Sequence, residues 1–183
     1  MSTIKKWKTL SSEYVYRSKW ATLRKDVCEM GDGRIVDDYY VLEYPDFANA
    51  LAITEDNKVL MVQQYRQAAG IVSLEVPGGV VDPGEDPLEA IKRELLEETG
   101  YEFTDVEKVS ELYPNPSTAN NKCHFYLARG GKKVREAKLD ELEELIVEEY
   151  TLDEVKQLLR DNKIGQALQS AGLFYALMKM GEL

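Results

Sequence analysis

The segment from Val76 to Gly100 constrains the fold most, because it joins a loop rich in glycine and proline to a helix with recognisable ends. Between Val76 and Glu85 there are three glycines and two prolines, which predicts a loop whose backbone can approach a ligand closely. Asp86 can cap the following helix, Pro87 suits its first position, and Gly100 is expected to end it. The sequence therefore predicts a loop that presents one helix.

The predicted helix has an apolar face and an acidic face. Its apolar positions, which we expect to be buried, are three and four residues apart: Leu88, Ile91 and Leu95. Glu94, Glu97 and Glu98 fall within an arc of about 100° beside them, because the α-helix has about 3.6 residues per turn. Mg²⁺ prefers carboxylate oxygens and would relieve the repulsion between these like charges. The acidic face is therefore a candidate metal site, although acidic helix faces are more often only solvated.

Arg93 lies eight residues beyond Glu85, and an ion pair between them would lock the loop to the helix. With these residues the chain reads Gx5Ex7REUxEExGU, where U is a bulky aliphatic residue, and it resembles the Nudix hydrolase family. The matching positions are Gly79, Glu85, Arg93, Glu94, Leu95, Glu97, Glu98 and Gly100. Tyr101 departs from the pattern, since it is aromatic where an aliphatic residue is usual, and we expect this to affect packing rather than chemistry.

The resemblance implies a site, a cofactor and a fold. The implied ligands of Mg²⁺, or of Mn²⁺ in its place, are Glu94, Glu97, Glu98, the carbonyl of Gly78 and, for an additional metal, Glu85. Arg93 is implied to orient Glu97 or Glu85, so that Arg93 and Glu97 count with the catalytic residues. The implied fold is an α/β/α sandwich around a mixed β-sheet.

The rest of the chain predicts strands and helices that agree with an α+β class. Turn residues at 31–33 and at 55–57 predict two β-hairpins. The predicted strands are 48–54, 58–64, 107–112, 123–129 and 145–150, and the predicted helices are 152–160 and 164–180. The last helix is expected to bury Leu168, Leu173, Phe174 and Leu177. Segments 113–122 and 135–144 are expected to be loops.

Residues outside the motif indicate the substrate class. The segment from Gln63 to Glu75 resembles that of ADP-ribose and nucleotide-sugar pyrophosphatases, where Arg66 would meet the diphosphate or the terminal sugar. Pro116, fifteen residues beyond Tyr101, stands where ADP-ribose pyrophosphatases carry a proline, although turn formation alone would also explain it. Asn120 could contact base or sugar. The expected reaction converts ADP-ribose to AMP and ribose 5-phosphate; the alternatives are hydrolysis of GDP-mannose or another nucleotide sugar, and a non-catalytic sensor.

The strands before the motif resemble the extra β-sheet of the nucleotide-sugar branch, in which two subunits exchange strands and build the nucleobase pocket. This implies a domain-swapped homodimer, with residues 1–46 as an N-terminal β-subdomain and residues 47–183 as the Nudix domain. The aromatic residues weighed for stacking on the base are Trp20, Tyr40, Tyr44 and Phe47, although aromatic residues in strands are more often core.

The general base is expected in the acidic loop before a late strand, at 140–144, again by resemblance to ADP-ribose pyrophosphatases. Glu143 fits best, and Glu144 and Glu141 remain alternatives. His124 lies in a predicted strand and is interpreted as a packing residue rather than a catalytic one.

Composition narrows the partners and the setting. The 23 basic and 33 acidic side chains give a net charge of -10, which argues against nucleic acid or an anionic membrane as the main partner. Cys28 and Cys123 are far apart and outside any metal-binding pattern, so both are expected to be buried free thiols. No stretch has the length and hydrophobicity of a membrane helix. A reducing cytoplasm is the expected setting.

Overall fold

The computed structural model describes residues 3–19, 21–139 and 141–183. These form two compact units: the described part of Met1–Pro45 together with Tyr113–Asn121, and Asp46–Leu112 together with Lys122–Leu183. Segment 113–121 thus lies in the same unit as the N-terminal strands.

The first unit contains an antiparallel sheet of three strands in the order β1-β2-β3. The strands are β1 (Lys8–Arg17), β2 (Thr22–Glu29) and β3 (Ile35–Glu43). The turn between β2 and β3 is closed by a hydrogen bond of 2.8 Å from Met30 N to Arg34 O, and Gly33 takes a φ of 88°, which favours glycine. The hairpin predicted around 31–33 is therefore confirmed.

The second unit is built on a sheet with the strand order β11-β5-β4-β10-β8; β6 also pairs with β5, β7 with β4 and β9 with β10. Its strands are β4 (Phe47–Thr54), β5 (Val59–Arg66), β6 (Ile71–Glu75), β7 (Gly78–Val80), β8 (Tyr101–Glu102), β9 (Asp105–Leu112), β10 (Cys123–Lys133) and β11 (Leu145–Tyr150). The β4–β10 pair is parallel and the other pairs are antiparallel, so the sheet is mixed.

Three helices complete this unit: α1 (Pro87–Thr99), α2 (Leu152–Arg160) and α3 (Ala167–Met180). Asp86 caps α1 by accepting from Leu88 N, and Gly100 ends it in a left-handed conformation. Thr151 and Glu154 form a capping box at the start of α2. The start and end predicted for α1 and the bounds predicted for α2 are confirmed.

The two faces of the second unit's sheet bury separate apolar clusters, because side chains alternate along a strand. On β4, Ala50 and Ala52 belong to a cluster with Ile91 and Leu95 of α1. Leu51, between them, belongs to a second cluster that also contains Val155 of α2 and Leu173, Ala176 and Leu177 of α3. Helices thus cover both faces of a mixed sheet, which confirms the α/β/α sandwich.

Several predictions of local structure were wrong. Strand β6 was not predicted, and β7 lies inside the segment predicted to be a loop, where it pairs with β4 from Phe47 to Asn49. Helix α3 begins at Ala167 rather than at residue 164, and the Phe174 side chain is not buried, since the residue is 50% exposed. The short strands carry too few residues for a periodic pattern and depend on their neighbours in the sheet.

Three single residues complete the description. Cys28 and Cys123 are buried free thiols, as expected. His124 is buried in β10 with Nε2 at 3.0 Å from Oδ2 of Asp46. Within the described ranges no helix is both long enough and apolar enough to cross a membrane.

Candidate active site

Arg93 joins the loop before α1 to the acidic face of that helix. Its Nε and Nη2 donate to the two carboxylate oxygens of Glu85 at 3.0 and 2.9 Å, which confirms the predicted ion pair. Nη2 also donates to the carbonyl of Val80, and Nη1 donates to Glu94 at 2.8 Å and to Glu97 at 3.2 Å. One guanidinium thus holds three of the candidate metal-binding carboxylates, and their charges raise the pKa of Arg93.

Two adjacent glycines let the loop backbone approach the glutamates of α1. The N–H of Gly78 donates to Oε2 of Glu98 at 2.9 Å, and a side chain at Gly78, whose φ is 148°, would meet the carbonyl of Ala48 at 2.2 Å. A Cβ at Gly79 would lie 2.5 Å from the Glu94 carboxylate. Glycine is therefore required at Gly78, where a side chain would displace backbone, whereas a side chain at Gly79 would push the Glu94 carboxylate aside.

The buried carboxylates of α1 are held in an unfavourable electrostatic environment. Glu98 is 3% exposed, and burial raises its pKa to about 8. The hydrogen bond from the Gly78 N–H acts to lower this pKa, whereas the charges of Glu94 and Glu143 add to the rise. Burial also raises the pKa of Glu94. The hydrogen bond and charge of Arg93 act to lower this pKa, and the charges of Glu97 and Glu143 act to raise it further. A cation bound among these groups would stabilise their charged forms, so the donor set fits a hard divalent metal.

The carboxylates do not form a ready-made ligand shell. Across 3–19, 21–139 and 141–183, no three His, Cys, Asp or Glu side chains are arranged to hold a metal ion together. Arg93 engages one oxygen each of Glu94 and Glu97 and both oxygens of Glu85.

Arg66 stands on the end of β5 and is held by a residue that sequence reasoning did not select. Its Nε and Nη2 donate to both oxygens of Glu75 at 2.8 and 2.6 Å. The hydrogen bonds to Glu75 raise the pKa of Arg66. Burial acts to raise the pKa of Glu75, but the hydrogen bonds from Arg66, Ser73 and Gln169 outweigh it, so that the pKa of Glu75 is lowered. In the β5–β6 hairpin Glu75 lies opposite Val62 and Arg66 lies opposite Ile71, so the pairing register alone does not indicate this contact.

Glu143 lies close enough to act electrostatically on the same group of residues. Its charge is among the largest contributions to the raised pKa values of Glu94, Glu98 and Arg66, and those of Glu141 and Glu144 are not. The structure thus brings Arg66 and Glu143 together with the acidic face of α1.

Two further predicted substrate residues, Pro116 and Asn120, lie in the first unit. Asn120 accepts from the backbone N–H of Tyr44 at 3.3 Å through Oδ1, and Pro116 lies in the same 113–121 segment. That segment pairs with the end of β3, where Leu42 N donates to Thr118 O at 2.7 Å. Trp20 lies outside the described residues.

Comparison with known proteins identifies the family. Residues 44–169 match the NUDIX domain, and residues 7–42 match the nucleoside diphosphate sugar hydrolase N-terminal domain. The methanol dehydrogenase activator of Bacillus methanolicus is 35% identical over 158 residues, which cover 86% of this chain and 85% of that protein. The ADP-ribose pyrophosphatase of Bacillus subtilis (strain 168) is 29% identical over 173 residues, which cover 94% and 93% of the two chains.

A crystal structure of an ADP compounds hydrolase superposes with a TM-score of 0.85 and 25% sequence identity over the whole of both chains. The match to the NUDIX domain names the same family that the sequence motif resembles. The α/β/α fold, the hydrogen bond from Gly78 to Glu98 and the contacts of Arg93 agree with that family. The chain belongs to the Nudix hydrolase family and is a pyrophosphohydrolase that carries the N-terminal domain of the nucleoside diphosphate sugar hydrolases.

Proposed function

We propose that this enzyme hydrolyses the diphosphate bond of ADP-ribose in a reaction that depends on Mg²⁺. The observation that carries the proposal is the grouping of Arg66 and Glu143 with Glu94 and Glu98, whose pKa values are raised by burial and mutual repulsion. A guanidinium, a carboxylate base and a metal-binding face are the three groups that hydrolysis of a diphosphate needs. Similarity to an ADP-ribose pyrophosphatase and to an ADP compounds hydrolase supports the substrate.

In this proposal the site residues have three roles: metal binding, diphosphate binding and orientation of the metal ligands. Glu94, Glu97 and Glu98, with Glu85 and the Gly78 carbonyl, would hold the metal. When bound, the divalent cation neutralises charge on the diphosphate oxygens. Arg66 binds the diphosphate through the guanidinium, and Arg93 orients the glutamates.

Glu143 accepts a proton from the water that attacks phosphorus. The bridging P–O bond breaks, so ADP-ribose and water become AMP and ribose 5-phosphate. Among the acidic residues weighed for this role, the electrostatic effect of Glu143 on Glu94 and Glu98 favours it over Glu141 and Glu144.

A steady-state comparison of ADP-ribose, GDP-mannose, other nucleotide sugars and NAD tests the proposal. We expect the highest kcat/KM with ADP-ribose and Mg²⁺, loss of turnover with EDTA, and recovery when Mg²⁺ or Mn²⁺ is restored. A higher kcat/KM for GDP-mannose would move the assignment to that nucleotide sugar. Binding without release of a phosphomonoester would instead identify a sensor.

A second candidate function is the activation of a dehydrogenase, which the similarity to a methanol dehydrogenase activator favours. NAD, a common dehydrogenase cofactor, contains the diphosphate of ADP-ribose, so the same site would bind it. The initial rate of an NAD-dependent alcohol dehydrogenase should then rise when wild-type protein is added. If the Glu98→Gln variant raised the dehydrogenase rate as much as the wild type does, activation would not depend on hydrolysis at this site.

We also propose that the first unit mediates homodimer formation. All ten residues of β1 are exposed, and they include Leu10, Tyr14, Val15 and Tyr16. An exposed strand with this many apolar side chains is unusual on the surface of a monomer and typical of an interface. The contributions of Trp20, Pro116 and Asn120 to substrate binding, and of residues 1–46 to a nucleobase pocket, stay predictions.

A further inference from the structure

We propose that Gln169, on the C-terminal helix α3, is a positioning residue that orients Arg66 for the substrate through Glu75. The inference rests on the proposed function in one respect, since Arg66 is taken to bind the diphosphate. It assigns a role to a helix that contributes none of the motif residues.

Gln169 is placed for this role by burial and by two directed hydrogen bonds. The residue is 3% exposed, its Nε2 donates to Oε2 of Glu75 at 2.9 Å, and its Oε1 accepts from the backbone N–H of Val76 at 2.7 Å. An amide is the side chain that can donate to a carboxylate and accept from an N–H at once. Both ends of the Gln169 amide are therefore used by consecutive residues, Glu75 and Val76.

Glu75 transmits the constraint to Arg66. It is 1% exposed, and the same Oε2 atom that accepts from Gln169 also accepts from Nη2 of Arg66 at 2.6 Å. A buried carboxylate needs several donors to remain charged, and Gln169 supplies one of them from outside the β5–β6 hairpin. Without it, Glu75 would hold Arg66 less firmly.

The contacts from Gln169 through Glu75 end at Arg66, which is the residue of the three proposed to meet the substrate. Its side chain is 48% exposed, and Glu75 accepts from Nε and Nη2. Within the described residues Nη1 makes no hydrogen bond, which leaves it to donate to a phosphate oxygen. The charges of Glu98 and Glu143 act on this guanidinium, which places it beside the metal-binding face. Fixing the plane of Arg66 in advance reduces the entropy lost when the diphosphate binds.

The test combines kinetics with a signal that needs no turnover. Gln169→Met keeps the length of the side chain and removes both hydrogen bonds. We expect KM for ADP-ribose to rise by about tenfold with kcat changed by less than about threefold, because Arg66 holds the diphosphate equally before and during reaction. Gln169→Glu keeps the acceptor for Val76 N–H but sets a second carboxylate against Glu75, and it should raise KM to a similar degree.

Gln166→Ala is the matched control. Gln166 caps the same helix by accepting from Leu168 N and Gln169 N, and no hydrogen bond joins it to Glu75 among the described contacts. Its loss should lower the melting temperature without raising KM. In an Arg66→Ala background, Gln169→Met should leave KM unchanged, since the group it positions is gone.

The ¹⁵Nε–¹Hε NMR signal of Arg66 reports the positioning in the absence of substrate. Hydrogen exchange at this Nε–H should be slow in the wild type and at least about tenfold faster in Gln169→Met, and unchanged in Gln166→Ala. Wild-type KM in both Gln169 variants, a KM increase that persists in the Arg66→Ala background, or unchanged exchange at Arg66 would each overturn the inference. Absence of turnover in the wild-type protein would refute only the proposed function, since the exchange measurement still decides the positioning.

Discussion

At the residue scale, the three glutamates on the acidic face of α1 differ in their contacts. Their spacing in the helix alone suggests that they are equivalent. Glu98 is buried against the Gly78 N–H, Glu94 lies under Gly79, and Glu97 is held by Arg93 at the surface. The motif predicted which residues share a face. It did not predict their different exposure, because that depends on the loop folded over the helix.

Replacing Glu98 by Gln should abolish turnover and leave the fold intact. The amide oxygen can still accept from Gly78 N–H, so the melting temperature should stay close to that of the wild type. Loss of a metal-binding carboxylate should lower kcat by about 100-fold or more.

Glu89→Gln is the control, because Glu89 is an exposed residue of the same helix that pairs with Lys92. It should retain the wild-type rate. A Glu98→Gln enzyme with wild-type kcat would refute the metal assignment.

Replacing Glu143 by Gln should lower kcat by about 100-fold or more, which is the usual contribution of a general base. KM should change little, because the residue is assigned to proton transfer rather than to substrate binding. Glu141→Gln and Glu144→Gln, measured under the same conditions, serve as controls and should remain active. If one of them loses activity in place of Glu143, the base belongs at that position.

At the scale of elements, strands and helices with their own sequence signals were predicted well, and those formed by pairing were not. Helix α1 was predicted between Asp86 and Gly100 because caps are local in sequence. Strands β6 and β7 were missed because each is defined by its partner, β5 or β4. The contact between Arg66 and Glu75 was missed as well, since their side chains meet between residues that the β5–β6 hairpin does not pair directly.

The Arg66–Glu75 pair should make stability depend on pH. The pKa of Glu75 is lowered from 4.5, so its charged form stabilises the fold above that pH, and this contribution is lost as the pH falls through the folded pKa. In chemical denaturation, the wild type should be more stable than Glu75→Gln at neutral pH. The difference in the free energy of unfolding should shrink in acid; a difference that is constant with pH would contradict this expectation.

At the scale of the whole molecule, the exposed apolar side chains of β1 predict a homodimer. Sedimentation equilibrium should give a mass twice that of the 20.8 kDa chain. Tyr16→Asp, in the exposed strand β1, should shift the equilibrium toward monomer because a charge would be buried at the interface.

The control for this prediction is Met178→Asp, a substitution at an exposed apolar residue of α3 in the second unit. It should leave the mass unchanged. A wild-type mass of one chain at micromolar concentration would rule out the dimer.

The sequence by itself determined the family, the reaction class and the ends of α1, because glycines, caps and carboxylates at fixed spacing act over a few residues. It also led to Arg66 and Glu143 through resemblance. Tertiary structure alone decided that Glu75 and Gln169 join Arg66, since Gln169 lies 94 residues beyond Glu75 and no periodicity links them. The physical reason is that burial and partnership of a polar side chain depend on which surfaces the whole chain brings together.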